Sequence, residues 1–443
     1  MTSLTINTSP LDSLASFSSI WCVVLSPDPT NTHKTKEVFL KHSLRLVASA
    51  AVLSVLITST LYGGGFQLNE HGARAMAMGG AFAARASDLS AIYFNPAGLA
   101  FQKGAQVLLG ATLIFPKTSF FGPDQLNTNQ ETKMKSQVFT PINLYASYEI
   151  MDGLVGAIGV NNPYGLGTEW PSDWTGKFIT QKVDLQTFFI SPTISYKVTD
   201  QLSVGAGVNY VTGEVTIKRM VSDPFDPHAT TEIEGTANAF GWNAGVMYKF
   251  SPTLQLGASY RSEVKMEATG TASFDPARSA YPAGDISSNL HLPATGFVGV
   301  AYSPIDELWI EADYQYIGWS SYKELAITFK KDNSTSVSPK NYEDTYMIRV
   351  GAEYTMGDLQ LRAGYLYDRS PAPAKYVEPL LPDANRNGLN LGFGYRLSKQ
   401  LNIDVAYLFL KIDQRKAVDT EIKFDGTYNS MASLIGVNIG YSF

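Results

Sequence analysis

Leu202-Ser203-Val204-Gly205-Ala206-Gly207-Val208-Asn209-Tyr210 alternates residue by residue. Leu202, Val204, Ala206, Val208 and Tyr210 share one face; Ser203, Gly205, Gly207 and Asn209 share the other. A period of two is the signature of a strand with an apolar face and a polar face. The stretch 342–354 repeats it, with Tyr342, Tyr346, Ile348, Val350, Ala352 and Tyr354 opposing Glu343, Thr345, Arg349, Gly351 and Glu353. The same contrast recurs in 359–367, 389–397, 401–409 and 433–443, and counting all such segments from residue 104 onward gives fourteen strands. Short turns around 152–153, 199–200, 251–252, 304–306, 357–358 and 398–399 alternate with long polar connections such as 118–135, 163–180, 220–232, 270–285, 319–341, 369–387 and 411–428. Tight turns at one end and long loops at the other describe an up-and-down barrel of the outer-membrane kind. No stretch after residue 62 has 18 consecutive apolar residues, so helical spanning is excluded.

Tyrosine supplies a third regularity. Each strand that runs into a short turn, or into the C-terminus, has an outward Tyr near its end: Tyr148, Tyr196, Tyr248, Tyr302, Tyr354, Tyr395 and Tyr441. A ring of tyrosines at one height is an interfacial girdle, because the ring favours lipid and the hydroxyl favours headgroups. The chain ends Val437-Asn438-Ile439-Gly440-Tyr441-Ser442-Phe443, which resembles the C-terminal recognition strand of outer-membrane barrels. Phe443 is therefore the expected contact for the barrel-assembly machinery. A girdle on every strand, facing outer-membrane lipid, points to a monomer.

Composition fits this reading. Of 443 residues, 17% are charged, below the roughly 25% of an average soluble domain. A net charge of −6 with no basic block argues against nucleic acid as a partner. One cysteine, Cys22, excludes a disulfide scaffold, and the five histidines show no metal-ligand spacing. There is no GxSxG elbow and no P-loop, so neither an enzyme nor a cofactor is expected.

Residues 1–63 read as an N-terminal extension plus a removed signal peptide. Lys34, Lys36, Lys41 and Arg45 form a basic region, Leu46 to Ile57 an apolar one, and Gly63-Gly64-Gly65 a small-residue stretch for cleavage. The Ser/Thr/Pro-rich residues before them fit no targeting logic, which suggests that translation starts later, near Val38.

Residues 64–103, ahead of the barrel at 104–443, do not alternate. They are rich in Gly and Ala, with short helices expected around 73–78 and 86–93 and a turn at Asn95-Pro96-Ala97-Gly98. Too small to bury a core alone, the segment either hangs outside the barrel or fills its wide lumen.

Gly65-Phe66-Gln67-Leu68-Asn69-Glu70, followed by Phe94-Asn95-Pro96-Ala97-Gly98-Leu99, resembles the N-terminal hatch of the FadL family of outer-membrane transporters. Asn162–Trp170, 240–245, Tyr260-Arg261-Ser262-Glu263-Val264-Lys265, Asp368-Arg369-Ser370-Pro371 and Leu381-Pro382-Asp383 extend the resemblance over the whole mature chain. It implies a fourteen-stranded barrel plugged by a hatch with Phe66, Asn95, Pro96 and Ala97 at its key positions. The implied cargo is long-chain fatty acids or other hydrophobic compounds, carried inward without an energy source. The implied route is capture outside, a luminal pocket beside the hatch, and sideways exit at a kink in the third strand.

That strand, Leu154–Val160, runs into Asn161-Asn162-Pro163-Tyr164-Gly165. Pro163 cannot donate a ladder hydrogen bond, and Gly165 tolerates unusual dihedrals, so a kink and an ordinary strand end both fit the residues alone. The resemblance favours the kink. It also aligns Arg219 with a family arginine associated with the ligand carboxylate, which suits bidentate recognition. At Glu343 the family pattern has a cation, and an acid there favours neutral aromatic hydrocarbons over fatty acids. Inward charges are expected at Arg261, Glu263, Lys265, Glu267, Glu311, Asp313, Arg349, Glu353, Arg362, Asp368 and Arg396, bracing the wall and anchoring a plug. A general porin or channel, or an adhesin using the long loops, stays open as an alternative.

Overall fold

The computed structural model describes residues 64–443, and the leader reading of 1–63 lies outside them. Fourteen antiparallel strands form one sheet: β1 (Ala105–Phe121), β2 (Ile142–Met151), β3 (Leu154–Asn161 and Gly165–Glu169), β4 (Lys182–Lys197), β5 (Leu202–Met220), β6 (Thr230–Ser251) and β7 (Leu254–Arg261 and Val264–Asp275) lead. They continue as β8 (Gly284–Leu292 and Thr295–Ile305), β9 (Leu308–Ile317 and Glu324–Phe329), β10 (Thr335–Pro339 and Thr345–Met356), β11 (Leu359–Asp368), β12 (Arg386–Arg396), β13 (Leu401–Ile412) and β14 (Gly426–Ser442). Each pairs with the next, and β14 closes on β1 from Gln106↔Ser442 to Phe121↔Thr427. Closure of the last strand on the first removes the two end edges of the sheet, which is what a sheet in lipid requires. Among the described residues no helix is long and apolar enough to cross a membrane; the chain crosses with strands.

The burial pattern is that of a soluble protein turned inside out. Leu109, Ile158, Val208, Val298, Leu391 and Ile439 are exposed, whereas Thr112, Ser195, Asn209, Glu311, Arg349 and Asn438 are buried. The alternation in 202–210 is thus a lipid face and a lumen face. Register also places the tyrosines at one height. Tyr196, Tyr248, Tyr302, Tyr354, Tyr395 and Tyr441 stand opposite Leu154, Leu202, Leu254, Leu308, Leu359 and Leu401, the first residue of the preceding upward strand in every case. A constant offset from the turn is what makes a level ring.

Two inward charges are corrected. Lys265 and Glu267 are exposed, while Val264 and Met266 point inward, because β7 breaks at Ser262-Glu263 and its parity flips across the break. Arg396 keeps inward parity but lies exposed at the last residue of β12, 3.8 Å from Asp358.

Residues 64–103 pack within the same compact unit as the strands. Helix α1 (Ala73–Ala77) is where the residues suggested it, but the second, α2, spans Ala91–Phe94, later than 86–93. Ala86 has φ 38, outside the helical region, and Asp88 instead accepts from the Ser90 N–H and hydroxyl, so the turn before the helix uses up that stretch. A 3₁₀ helix follows at Pro96–Phe101.

Candidate functional site

The site begins with what holds the N-terminal segment in the lumen. Asp313 on β9 accepts the backbone N–H groups of Phe82 (2.8 Å) and Ala83 (2.9 Å), and Glu311 those of Ala84 (2.8 Å) and Arg85 (3.1 Å). Glu353 on β10 takes Arg74 at 2.8 Å, Arg85 at 2.7 Å and Arg362 at 2.6 Å, and Arg362 reaches Asp404 at 2.6 Å. Glu311, Asp313, Glu353 and Arg362 are inward charges of mixed sign, and each is buried among partners, as buried ions must be. Replacing Glu353 by Ala leaves buried arginines unpaired and should weaken the seat by about 3–5 kcal/mol. Hydrogen exchange across residues 73–86 should then accelerate; unchanged protection would mean that the ion pairs do not hold the segment.

The predicted residues of this segment sit deep. The Asn95 side-chain amide donates to the carbonyls of Ala83 (2.8 Å) and Val246 (3.0 Å) and its oxygen accepts the Ala97 N–H (3.1 Å). One side chain thus ties two turns of the segment to the wall. Pro96 and Ala97 are fully buried beside Gly205. Gly205, Gly245, Gly257, Gly351 and Gly364, on five strands, are the wall residues at the contact, and a Cβ at any of them would collide with the segment. At four of them the segment's backbone lies directly on the wall, and at Gly245 the Asn95 side chain does.

Above it opens an apolar cavity with about 930 Å³ of space, part of it open to solvent. Val183, Leu185, Val215, Ile217, Ile233 and Met266 line its sides. Phe66 closes its base, edge-on to Trp319 (4.7 Å between centroids), Tyr322 (5.4 Å) and Tyr164 (6.0 Å). A concave apolar pocket with few polar groups is built to hold a hydrophobic molecule. Arg219 lies one inward step beyond Ile217 on the uninterrupted strand β5, partly buried, with no hydrogen bond or ion pair to its side chain among the described residues. Outside the barrel, the Tyr281 hydroxyl donates to Asp223 at 2.6 Å and Arg278 pairs with it, which together hold this carboxyl down at about 2 and fasten loop 221–229 to loop 276–283.

Glu343 is exposed and does not line the cavity. The alternation read through 342–354 fails at its start because the chain between the two parts of β10 bends at Asn341 (φ 42), where the N–H groups of Lys340 and Asn341 both donate to the Lys323 carbonyl. Tyr342 and Lys340 turn inward instead. Lys340 lines the cavity and pairs with Glu378, another residue the sequence did not single out.

The wall is broken beside Phe66. From Asn161↔Phe189 to Gly165↔Gln186, β3 takes four steps while β4 takes three, so one residue bulges. Above the bulge, β3 pairs only with β4. On its other side, the one backbone hydrogen bond to the chain ahead of β2 among the described residues runs from the Lys135 N–H to the Glu169 carbonyl, at 2.8 Å. Phe139 packs on Gly167 and Leu68 on Gly165, so side chains rather than ladder bonds fill the gap. The lumen segment is stitched to the bulge: the Gly165 N–H donates to the Phe66 carbonyl (3.0 Å) and the Leu68 N–H to that of Pro163 (2.9 Å). Asn162 accepts from the Ile142 N–H (2.8 Å) and donates to the Thr187 carbonyl (2.7 Å), while Asn161 contacts Tyr145 and His71. His71 Nε2 donates to Leu68 and its Nδ1 faces the Asn161 amide, the pattern of a neutral imidazole. Histidine spacing alone gave no sign of that role.

A closed barrel in lipid, filled by its own N-terminal segment and holding an apolar pocket, is an outer-membrane transport protein in form. The chain belongs to the family described as "Outer membrane protein transport protein (OMPP1/FadL/TodX)", which it matches over residues 54–443. It is 26% identical over 457 aligned positions to the long-chain fatty acid transport protein of Escherichia coli K12, covering 92% of this chain and 99% of that one. With outer membrane protein P1 of Haemophilus influenzae it shares 25% identity, over 82% of this chain and 91% of that one. Among solved structures, a Pseudomonas aeruginosa FadL homologue superposes with a TM-score of 0.74 at 20% identity, covering 86% of this chain and all of the other. The P. putida toluene transporter TodX gives 0.66 at 20% identity, covering 87% and 99%. Relatives of this family are transport proteins of the outer membrane, and this chain is a hydrophobic-compound transporter of that kind.

Proposed function

We propose that the chain carries hydrophobic compounds, long-chain fatty acids and neutral hydrocarbons among them, passively across the outer membrane. Residues 64–103 act as its hatch. Cargo enters from the long-loop end, rests in the apolar cavity on Phe66, and leaves sideways through the gap at Asn161, Asn162, Pro163 and Gly165, where Leu68 and Phe139 give way. The observation that carries this reading is the stitching of Phe66 and Leu68 to the bulge, which makes the floor of the cavity and the edge of the gap one piece. A downward route is blocked by the buried hatch. Uptake of radiolabelled oleate and toluene by cells lacking their own transporter tests it. Neither compound entering faster with this chain present would end the proposal.

Arg219 stands at the rim of the cavity as an unpaired guanidinium and takes the carboxylate head of an acidic cargo there. Charge-assisted hydrogen bonds contribute about 1.5–3 kcal/mol when well placed, and the rim is half-solvated, so Arg219→Ala should weaken oleate about tenfold. Methyl oleate, with the same chain and no charge, should be little affected. Equal losses for both would remove the assigned role.

A further inference from the structure

Lys340 and Glu378 are the one buried ion pair among the described residues that lines the apolar cavity. Their side chains are 2% and 9% exposed. Lys340 also donates to the Ser338 hydroxyl at 2.9 Å, and that hydroxyl lies 3.5 Å from the second carboxylate oxygen of Glu378. Glu378 is not free to swing away. It sits in the buried stretch Val377-Glu378-Pro379, and the next residues are fixed to β3: Trp170 Nε1 donates to the Pro379 carbonyl at 3.1 Å and the Thr168 hydroxyl to that of Leu380 at 3.2 Å. The cavity thus contains a cation that already has a carboxylate.

We infer that Glu378 is a specificity-determining residue: it occupies Lys340 as a resident counter-ion, closes that cation to the carboxylate of a cargo, and fits the deep cavity to neutral hydrophobic compounds. This rests on the cavity being the cargo site proposed above. An incoming carboxylate could reach Lys340 only by leaving Glu378 buried without a partner, and the anchored loop gives Glu378 nowhere to go. A buried charge stripped of its partner is strongly unfavourable. A neutral molecule leaves the pair untouched, so the pair discriminates by penalising the wrong head group. An acid is then held by its head at Arg219 on the rim while its chain occupies the cavity, and the pair disfavours the passage of the charged head past that point.

The test compares equilibrium binding of oleate and methyl oleate at pH 8 to the full chain in lipid nanodiscs. In Glu378→Gln, Lys340 loses its resident anion while the side-chain volume stays, and the affinity for oleate relative to methyl oleate should rise at least tenfold. The double variant Glu378→Gln, Lys340→Met should return that ratio to the wild-type value, and a ratio below it overturns the inference, because Lys340 would then already serve carboxylates in the wild type. A ratio that stays put in Glu378→Gln, with methyl oleate still binding saturably, overturns the inference and leaves the cavity as the cargo site. Should Glu378→Gln not fold, Lys340→Met/Glu378→Leu decides: an oleate-to-methyl oleate ratio equal to wild type supports a pair already closed to carboxylates, and a fall in the ratio overturns it. Saturable binding of neither ligand to wild type overturns the inference together with the cavity reading on which it rests.

Discussion

Deletion of residues 66–100 should convert a nearly closed barrel into an open, ion-conducting pore. The lost segment is almost entirely buried, and among the described residues no other element crosses the lumen at its height. With it gone, Glu311, Asp313 and Glu353 lose their partners in the segment and face water, and a lumen of fourteen strands is wide enough to conduct. Single-channel conductance in planar bilayers should rise by roughly tenfold or more, the difference between a filled and a water-filled barrel of this size. The barrel itself should still close, because its ladder runs strand to strand from β1 to β14 and, among the described residues, the segment's one bridge to it is Gln67↔Tyr164. Retained strand content by circular dichroism with unchanged conductance would show that the segment is no plug.

Removing the bulge in β3 should stop traffic without opening the pore. Deleting Pro163 gives β3 and β4 equal step counts between Asn161↔Phe189 and Gly165↔Gln186, and it removes the residue that cannot donate to a ladder. The edge that now meets the chain ahead of β2 through Phe139 and Leu68 can then pair. Uptake of oleate and of toluene should both fall by about an order of magnitude, since a continuous ladder has no gap for a side exit. Thermal stability should hold or rise. Unaltered uptake would place the exit elsewhere, and a loss confined to oleate would mean that the deletion had disturbed the rim and not the exit.

The sequence revealed most where strands run without interruption. β5 runs without a break from Leu202 to Met220, so the parity read at 202–210 could be counted on to Arg219. The tyrosine ring was legible for the same reason, as each Tyr is counted from a tight turn. Legibility ended at breaks. One left-handed residue, Asn341, turned Glu343 out and Lys340 in, and the break at Ser262-Glu263 did the same to Lys265 and Glu267. The partnership of Lys340 with Glu378 joins two loops 38 positions apart, and no periodicity links them. His71 looked inert because histidines were weighed as metal ligands, and its neighbours Leu68 and Asn161 come together only once the segment is inside the barrel.

The wall glycines at Gly205, Gly245, Gly257, Gly351 and Gly364 bear on the route proposed for the cargo. A cork cut to its bottle on five sides has no slack in which to slide, and pulling it would require work that the proposed passive passage does not supply. Tight seating therefore favours a doorway over a drain. It also ties the two parts of the gene product together: a foreign plug, however similar, would meet the wrong dents in the wall, so the inner and outer parts must change in step.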